Sequence, residues 1–336
     1  MSLIELMVAL TLGAFIILGV VNVLMGNKQS SQVERAMASL QQNGRSALDL
    51  IVSDIRDAMY FGCHSALSRP TVMANGFTWS GLQGFERAAG GWTPTLPATL
   101  NPISAATRIG SDVLNLQHSA SVNTTIANPV VPASTAISIS DNPECISQND
   151  LVVVSSCVTA HLFRVTNSPA CDGSATTLAY TNASNSITSM TPGYGTSDEL
   201  FQLFDKTWFV ADTGRVRTGT SIPEFALYRR VNGVNEEMIT GVEHMQITYG
   251  QELASGNIRY VSADNASLNM DDVLSVRIAL LIQSFEPILE TADTDVYQLL
   301  DESIDSAGTT VTHNGDTTLR RVFQTTAVLR NTRSKY

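Results

Sequence analysis

Apolar residues fill the first 25 positions almost without interruption. Between Leu3 and Met25 the only charged side chain is Glu5. About 20 apolar residues suffice to span the hydrocarbon core of a bilayer, and no other segment of the chain is as long and apolar. A secretory signal peptide would begin with basic residues and have a shorter apolar core, yet no Lys or Arg precedes Lys28. The pattern therefore predicts one membrane-spanning helix at the N-terminus.

Glu5 has two interpretations within that helix. A carboxylate at membrane depth is costly unless it is paired, so such a group is usually functional. Alternatively, Glu5 lies at the membrane interface and is merely tolerated. The residues alone leave both interpretations open.

The apolar pattern continues beyond the predicted span as a stripe with steps of three and four residues. Such spacing is typical of one face of a helix, with Gly44 filling the one missing step. Asp54 and most other polar residues of this segment fall on the other faces. We predict one helix over residues 2–59, whose second half packs on a globular domain. The side chains expected to be buried there are Val33, Met37, Leu40, Leu48, Ile51 and Ile55.

After residue 60 the pattern changes to short apolar or alternating runs, separated by Gly, Pro, Asn and Ser, which favours antiparallel sheets. Residues 64–110 and 119–148 are interpreted as long surface loops, and residues 286–302 as a short helix or a loop. The fold class is therefore α+β, with a helix over 1–60 and a β-rich domain over 61–336. Predicted strands cover residues 112–117, 136–140, 151–156, 161–166, 200–210, 225–231, 245–249, 257–261, 273–283 and 319–329.

Composition and motifs exclude several functions. With 20 basic and 31 acidic residues the formal net charge is −11, so nucleic-acid binding is not expected. No nucleophile, zinc-protease, phosphate-loop or dinucleotide motif occurs, and we expect neither an enzyme nor a cofactor. His161 and His244 are expected to be structural, and Trp79, Trp92 and Trp208 to pack in the core or loops. The acidic residues of 264–272 and 290–305 are interpreted as solvated, with no metal site.

Four cysteines predict two disulfides if the domain lies outside the cytosol. A four-cysteine zinc site is disfavoured because no pair has a spacing of two to four residues. Three pairings are possible. We favour Cys145–Cys157, whose enclosed segment could form a hairpin, which leaves Cys63–Cys171.

Several segments resemble one known superfamily. Residues 1–10, MSLIELMVAL, resemble the mature N-terminus of type IV pilins and type II secretion pseudopilins, although the usual first residue is Phe. Residues 54–63, DIRDAMYFGC, resemble the end of the long helix in PilW-type minor pilins, with Met59 where that family usually has Gly. Further matches to the PilW branch lie at residues 145–157, 227–230, 241–250, 321–323 and 329–331.

The resemblance implies the fold and the role of the helix. It implies the type IV pilin fold, cleavage by a prepilin peptidase and N-methylation of Met1. It further implies that Glu5 pairs with the N-terminal amine of a neighbouring subunit when the helices assemble.

The resemblance also implies partners and a location. The expected partners are other minor pilins and the major pilin, joined through the N-terminal helix, and a large tip adhesin is a further candidate. The chain would sit in the inner membrane before assembly and then at the pilus tip of a Gram-negative-type bacterium, as part of a priming complex. The alternatives are a type II secretion minor pseudopilin and an abundant filament subunit or adhesin.

Overall fold

A long helix and a set of mostly antiparallel sheets make up the protein in a computed structural model. The structure describes residues 3–66, 68–186, 188–217, 222–307 and 311–332, with all of their side chains except those of Glu5, Ser65 and Ala66. Helix α1 runs over Leu3–Asp57, and its 55 residues correspond to about 80 Å at 1.5 Å per residue. A second helix, α2, covers only Asn101–Ser104, and single 3₁₀ turns occupy Cys63–Ala66, Ala98–Leu100 and Met270–Asp272.

The described residues form 17 strands, numbered in chain order. The first nine, β1 to β9, are Thr71–Val72, Leu82–Ala88, Gly91–Thr93, Val113–Ser121, Ala136–Ile139, Leu151–Ser155, Ala160–Arg164, Thr176–Ala179 and Glu199–Val216. The remaining eight, β10 to β17, are Pro223–Val231, Val234–Thr240, Val242–Glu252, Ile258–Val261, Val273–Pro287, Tyr297–Leu299, Glu302–Ile304 and Thr318–Val328. All ten predicted strands are present; five are longer than expected, four are one residue shorter, and one has the expected length.

Two sheets dominate the domain. The larger one has the strand order β1-β7-β6-β9-β4-β2-β3, and the hairpin β10–β11 also pairs with β9. The smaller one has the order β13-β12-β14-β17 and is antiparallel throughout. The second half of α1 lies mainly on β14 and β17. The core between helix and sheets contains Leu114, Trp208, Val276, Ile278 and Leu280.

The two segments that we interpreted as surface loops contain strands and buried apolar residues instead. Residues 64–110 contain β2 and β3, and Leu82 and Phe85 are buried in them. Residues 119–148 bury Ile126 and Ile137 in a second core. The loop interpretation was wrong because it followed the many Ser, Thr and Gly residues. The isolated apolar residues between them are buried in the tertiary structure and fix these segments in the domain.

Candidate functional site

The first half of α1 presents bare apolar side chains on all sides. Leu3 is 77% exposed and Phe15 is 74% exposed, and the apolar window buries nothing against the domain. Among the described residues, this is the one helix long and apolar enough to cross a membrane. Such a surface is stable only when lipid or other apolar helices cover it.

Two residues near the start of the chain, Met1 and Glu5, are predicted to act in assembly. Met1 and the side chain of Glu5 lie outside the described part of the chain, and only the backbone of Glu5 is placed, within α1. At Gly13, Gly19 and Gly26 an added Cβ would meet no atom within 4 Å. Neighbouring helices could therefore approach α1 closely at these three positions.

The second half of α1 packs on the domain over a shorter length than predicted. Leu40, Leu48, Ile51 and Ile55 are buried, with Leu48 the most exposed of them at 8%. The prediction was wrong for the two earliest positions, since Val33 and Met37 are only half-buried. The reason is that the face of α1 that packs on the domain is buried only from Leu40 onward.

Gly44 allows a close contact between α1 and the small sheet. A Cβ placed there would lie 2.5 Å from Cγ of Phe323, on β17. The aromatic ring thus occupies the space that a side chain at position 44 would need. This contact explains why a glycine interrupts the apolar stripe.

A buried ion pair locks the end of α1 to the large sheet. Asp54 Oδ1 lies 2.6 Å from Lys206 Nζ, and Asp54 Oδ2 accepts a hydrogen bond from Trp208 Nε1 at 3.0 Å. The side chains of Asp54 and Lys206 are only 8% and 15% exposed. Helical periodicity placed Asp54 among the polar faces and missed this role, because both partners come from β9.

The C-terminus of α1 is capped from the other end of the chain. Asn331 Nδ2 donates to the carbonyl oxygens of Ala58, at 3.0 Å, and Arg56, at 3.3 Å. Met59 follows with φ = 64°, the left-handed conformation that commonly ends a helix and favours glycine. PilW-type sequences usually have glycine where this chain has Met59. Glycine would adopt this left-handed conformation without strain.

The disulfides are paired differently from our expectation. Cys63 is bonded to Cys157, and Cys145 to Cys171, with 4.9 Å between the Cα atoms in each pair. The predicted pairing fails because β6 and β7 do form a hairpin, but Cys157 lies in its turn and Cys145 precedes its open end. The five residues of β6 correspond to about 17 Å, far beyond disulfide reach.

A fully buried arginine organises the side of the small sheet opposite α1. Arg320 Nε lies 2.6 Å from Glu243 Oε2, while its Nη1 lies 2.9 Å from Asp293 Oδ2 and 3.0 Å from Asp316 Oδ1. Asp293 was interpreted as part of a solvated acidic surface. That interpretation was wrong because Asp293 is buried and its carboxylate is paired with Arg320.

The two histidines expected to be structural have hydrogen-bond partners inside the domain. His161 Nδ1 lies 2.5 Å from the Tyr194 hydroxyl, and His244 lies between the carbonyl oxygens of Gly110 and Thr312. Burial lowers the pKa of His244 well below its ordinary value. Among the described residues, no group of three or more His, Cys, Asp or Glu could hold a metal ion.

The three tryptophans have different surroundings. Trp208 is fully buried in the main core and Trp79 is 6% exposed in a smaller one. Trp92 is half-buried, and its Nε1 donates to Ser104 Oγ at 2.9 Å.

These features define the class of protein. A long N-terminal helix, apolar and bare in its first half and packed on an antiparallel β domain in its second half, is a pilin-like α+β fold.

The small sheet lies in the part of the chain that is similar to a known family. Residues 215–331 match the family model described as type IV pilus-assembly protein W. This match, over about a third of the chain, supports a PilW-family pilus protein. The matched segment begins at the end of β9 and includes every strand of the sheet on which α1 packs. No curated protein matches the chain.

Proposed function

We propose that this chain is a minor pilin, part of a minor-pilin complex that primes assembly of the type IV pilus and remains at its tip. The observation that carries the proposal is the division of α1 into a bare apolar half and a packed half. The bare half suits first a lipid bilayer and then a bundle of similar helices. The packed half holds the β domain outside that bundle.

The size of the β domain favours a position at the tip over the shaft. About 275 residues would have to be accommodated at every subunit of a shaft, whereas one copy at the tip meets no such crowding. Two disulfides suit an exposed, oxidising location. Other minor pilins and the major pilin are the proposed partners, and presentation of a large tip adhesin is a further proposed role. The proposal includes no catalytic role.

Glu5 is the proposed selector of register in the helix bundle. Inside a nearly dry bundle an unpaired carboxylate is costly, whereas one paired with the N-terminal amine of a neighbouring Met1 is compensated. Subunits inserted at a wrong axial height would leave both charges unpaired. In this proposal Met1 is N-methylated after cleavage by a prepilin peptidase.

Replacement of Glu5 by alanine tests the proposal. We expect Glu5→Ala to block incorporation into sheared pili, while the two disulfides still form. Glu34→Ala is the matched control, since Glu34 is exposed on the same helix beyond the apolar half. Quantitative mass spectrometry of purified pili measures the copy number of each variant. Normal incorporation of Glu5→Ala would contradict the proposed role of Glu5.

The copy number of the wild-type chain separates the remaining candidates. One or a few copies per filament support a tip minor pilin. A number close to that of the major pilin would make the chain a shaft subunit. Its absence from filaments would favour a type II secretion pseudopilin, which has the same kind of N-terminal helix.

A further inference from the structure

Strand β17 forms a long free edge of the small sheet, and the direction of its backbone groups can be worked out. Leu329 N donates to Leu274 O at 2.9 Å, which continues the ladder between β14 and β17. Gln283 N donates to Gly241 O at 2.9 Å, toward the opposite neighbour of β14. Antiparallel pairing alternates these directions along each strand. The backbone groups that bond to β14 are therefore those of residues 321, 323, 325 and 327. The N–H and C=O groups that point outward are those of residues 322, 324, 326 and 328.

This edge has neither a bulge nor a proline, two devices that block pairing with another chain. The register between β14 and β17 is unbroken from Arg320 to Val328, so no bulge interrupts it. The strand contains no proline, and among the described residues no further hydrogen bond occupies the outward groups of residues 322–328. Gln324, Thr326 and Val328 are exposed. A free edge of this length is a template for strand addition.

A groove of about 530 Å³ runs beside this edge, along α1. Its walls include Arg45, Arg56 and Arg330, together with Asp49 and Asp57. Among the described residues, none of the three guanidinium groups forms a salt bridge within 4.0 Å. With three guanidinium groups and two carboxylates the groove has a formal net charge of +1, whereas the whole chain has a net charge of −11.

We propose that the free edge of β17 is a strand-addition site, which accepts an extended acidic segment of another pilus subunit. Backbone groups of that segment pair with residues 322–328. Its carboxylates, at alternate positions, reach Arg45, Arg56 and Arg330 across the groove. The inference rests on the proposed function, because that function supplies the neighbouring subunit.

Charge argues against the two other occupants that the chain itself could supply. Pairing of two copies through the same edge would place two grooves of the same charge beside each other, with no acidic segment between them. The last four residues of the chain, Arg-Ser-Lys-Tyr, carry two positive charges and no acidic side chain. Neither occupant complements the guanidinium groups of the groove.

The test uses the full-length chain in a strain that assembles pili. A photo-reactive phenylalanine at position 324 marks whatever lies beside the edge. Thr326→Pro removes one outward N–H without affecting the ladder to β14, a substitution that edge strands tolerate. Thr326→Ala is the matched control, because it removes the side chain but keeps the N–H.

We expect adducts to an extended acidic segment of another pilus subunit. Because a lost hydrogen bond and an unsatisfied partner carbonyl act together, Thr326→Pro should reduce these adducts roughly tenfold or more. Thr326→Ala should retain them within about twofold. Arg45→Glu should also reduce them, and Arg35→Glu, exposed on the same helix outside the groove, should not.

Other results would overturn the inference. These are adducts to a second copy, to residues 333–336 or to a helix, no adducts at all, or equal yields from Thr326→Pro and Thr326→Ala. Formation of both disulfides in Thr326→Pro shows that the variant folds. The amount of chain in sheared pili is measured in the same strains. Normal amounts without adducts refute strand addition alone, whereas absence of the wild-type chain from pili refutes the proposed function.

Discussion

The ion pair at the end of α1 leads to a sharp prediction for Asp54→Ala. Trp208 is fully buried, so the loss of its acceptor leaves Nε1–H without a partner, at a cost of about 1–3 kcal/mol. Lys206 loses its counter-ion but, with 15% of its side chain exposed, keeps some access to water, which adds about 1 kcal/mol. We expect the free energy of unfolding to fall by roughly 2–4 kcal/mol.

The assay is equilibrium unfolding of the full-length chain in detergent by guanidinium chloride, followed by tryptophan fluorescence. Asp49→Ala is the matched control, since Asp49 is exposed on the same helix and forms no salt bridge among the described residues. It should change the free energy of unfolding by less than about 0.5 kcal/mol.

A double-mutant cycle isolates the ion pair itself. Asp54→Ala combined with Lys206→Met should be less destabilising than the sum of the single variants, by about 1 kcal/mol or more. The reasoning would be refuted if Asp54→Ala cost less than about 1 kcal/mol, or if the two substitutions were additive.

Two further predictions concern the contact at Gly44 and a buried pair of acids. Gly44→Ala should lower the free energy of unfolding by about 1–2 kcal/mol, because the new Cβ collides with Phe323. Gly26→Ala, in open space, should leave the free energy of unfolding unchanged or raise it. The midpoint of guanidinium unfolding measures both variants. Burial raises the pKa of Asp112 well above its ordinary value and that of Glu86 above its own, and the two side chains share a hydrogen bond. Because the pKa values of both acids are raised in the folded state, the two protonated acids contribute fully to stability below about pH 4. This contribution is lost as the pH rises through the folded-state pKa values. The free energy of unfolding of Glu86→Gln should therefore decline less steeply above pH 4 than that of the wild type, and parallel pH profiles would contradict this.

The sequence predicted the elements of this fold better than their contacts. Strong periodicity over many residues made α1 and the ten main strands recognisable. Strand β11, Val234–Thr240, escaped detection because it is mostly exposed and has no apolar face for burial to select. Strand β2 escaped because Gly84 stands in the middle of it, where the Tyr249 side chain occupies the space beside the backbone.

The candidate site divides in the same way. The exposed apolar half of α1 and its packed half were both predicted from the stripe of apolar residues. The disulfide pairing was wrong because the expected hairpin over residues 145–157 does not form; the hairpin joins β6 to β7, and Cys157 lies in its turn. The ion pair of Asp54 was missed, since 152 residues separate it from Lys206.

By itself, the sequence determined α1 and the ten main strands, which half of α1 needs a covering outside the domain, and the resemblance to the PilW family. These properties depend on neighbours a few residues apart, and a local pattern records them. Only the tertiary structure decided the pairing of the cysteines, the partners of Asp54 and Arg320, and the outward direction of every second backbone group of β17. Those properties depend on residues brought together from distant parts of the chain, and neither periodicity nor composition records such contacts.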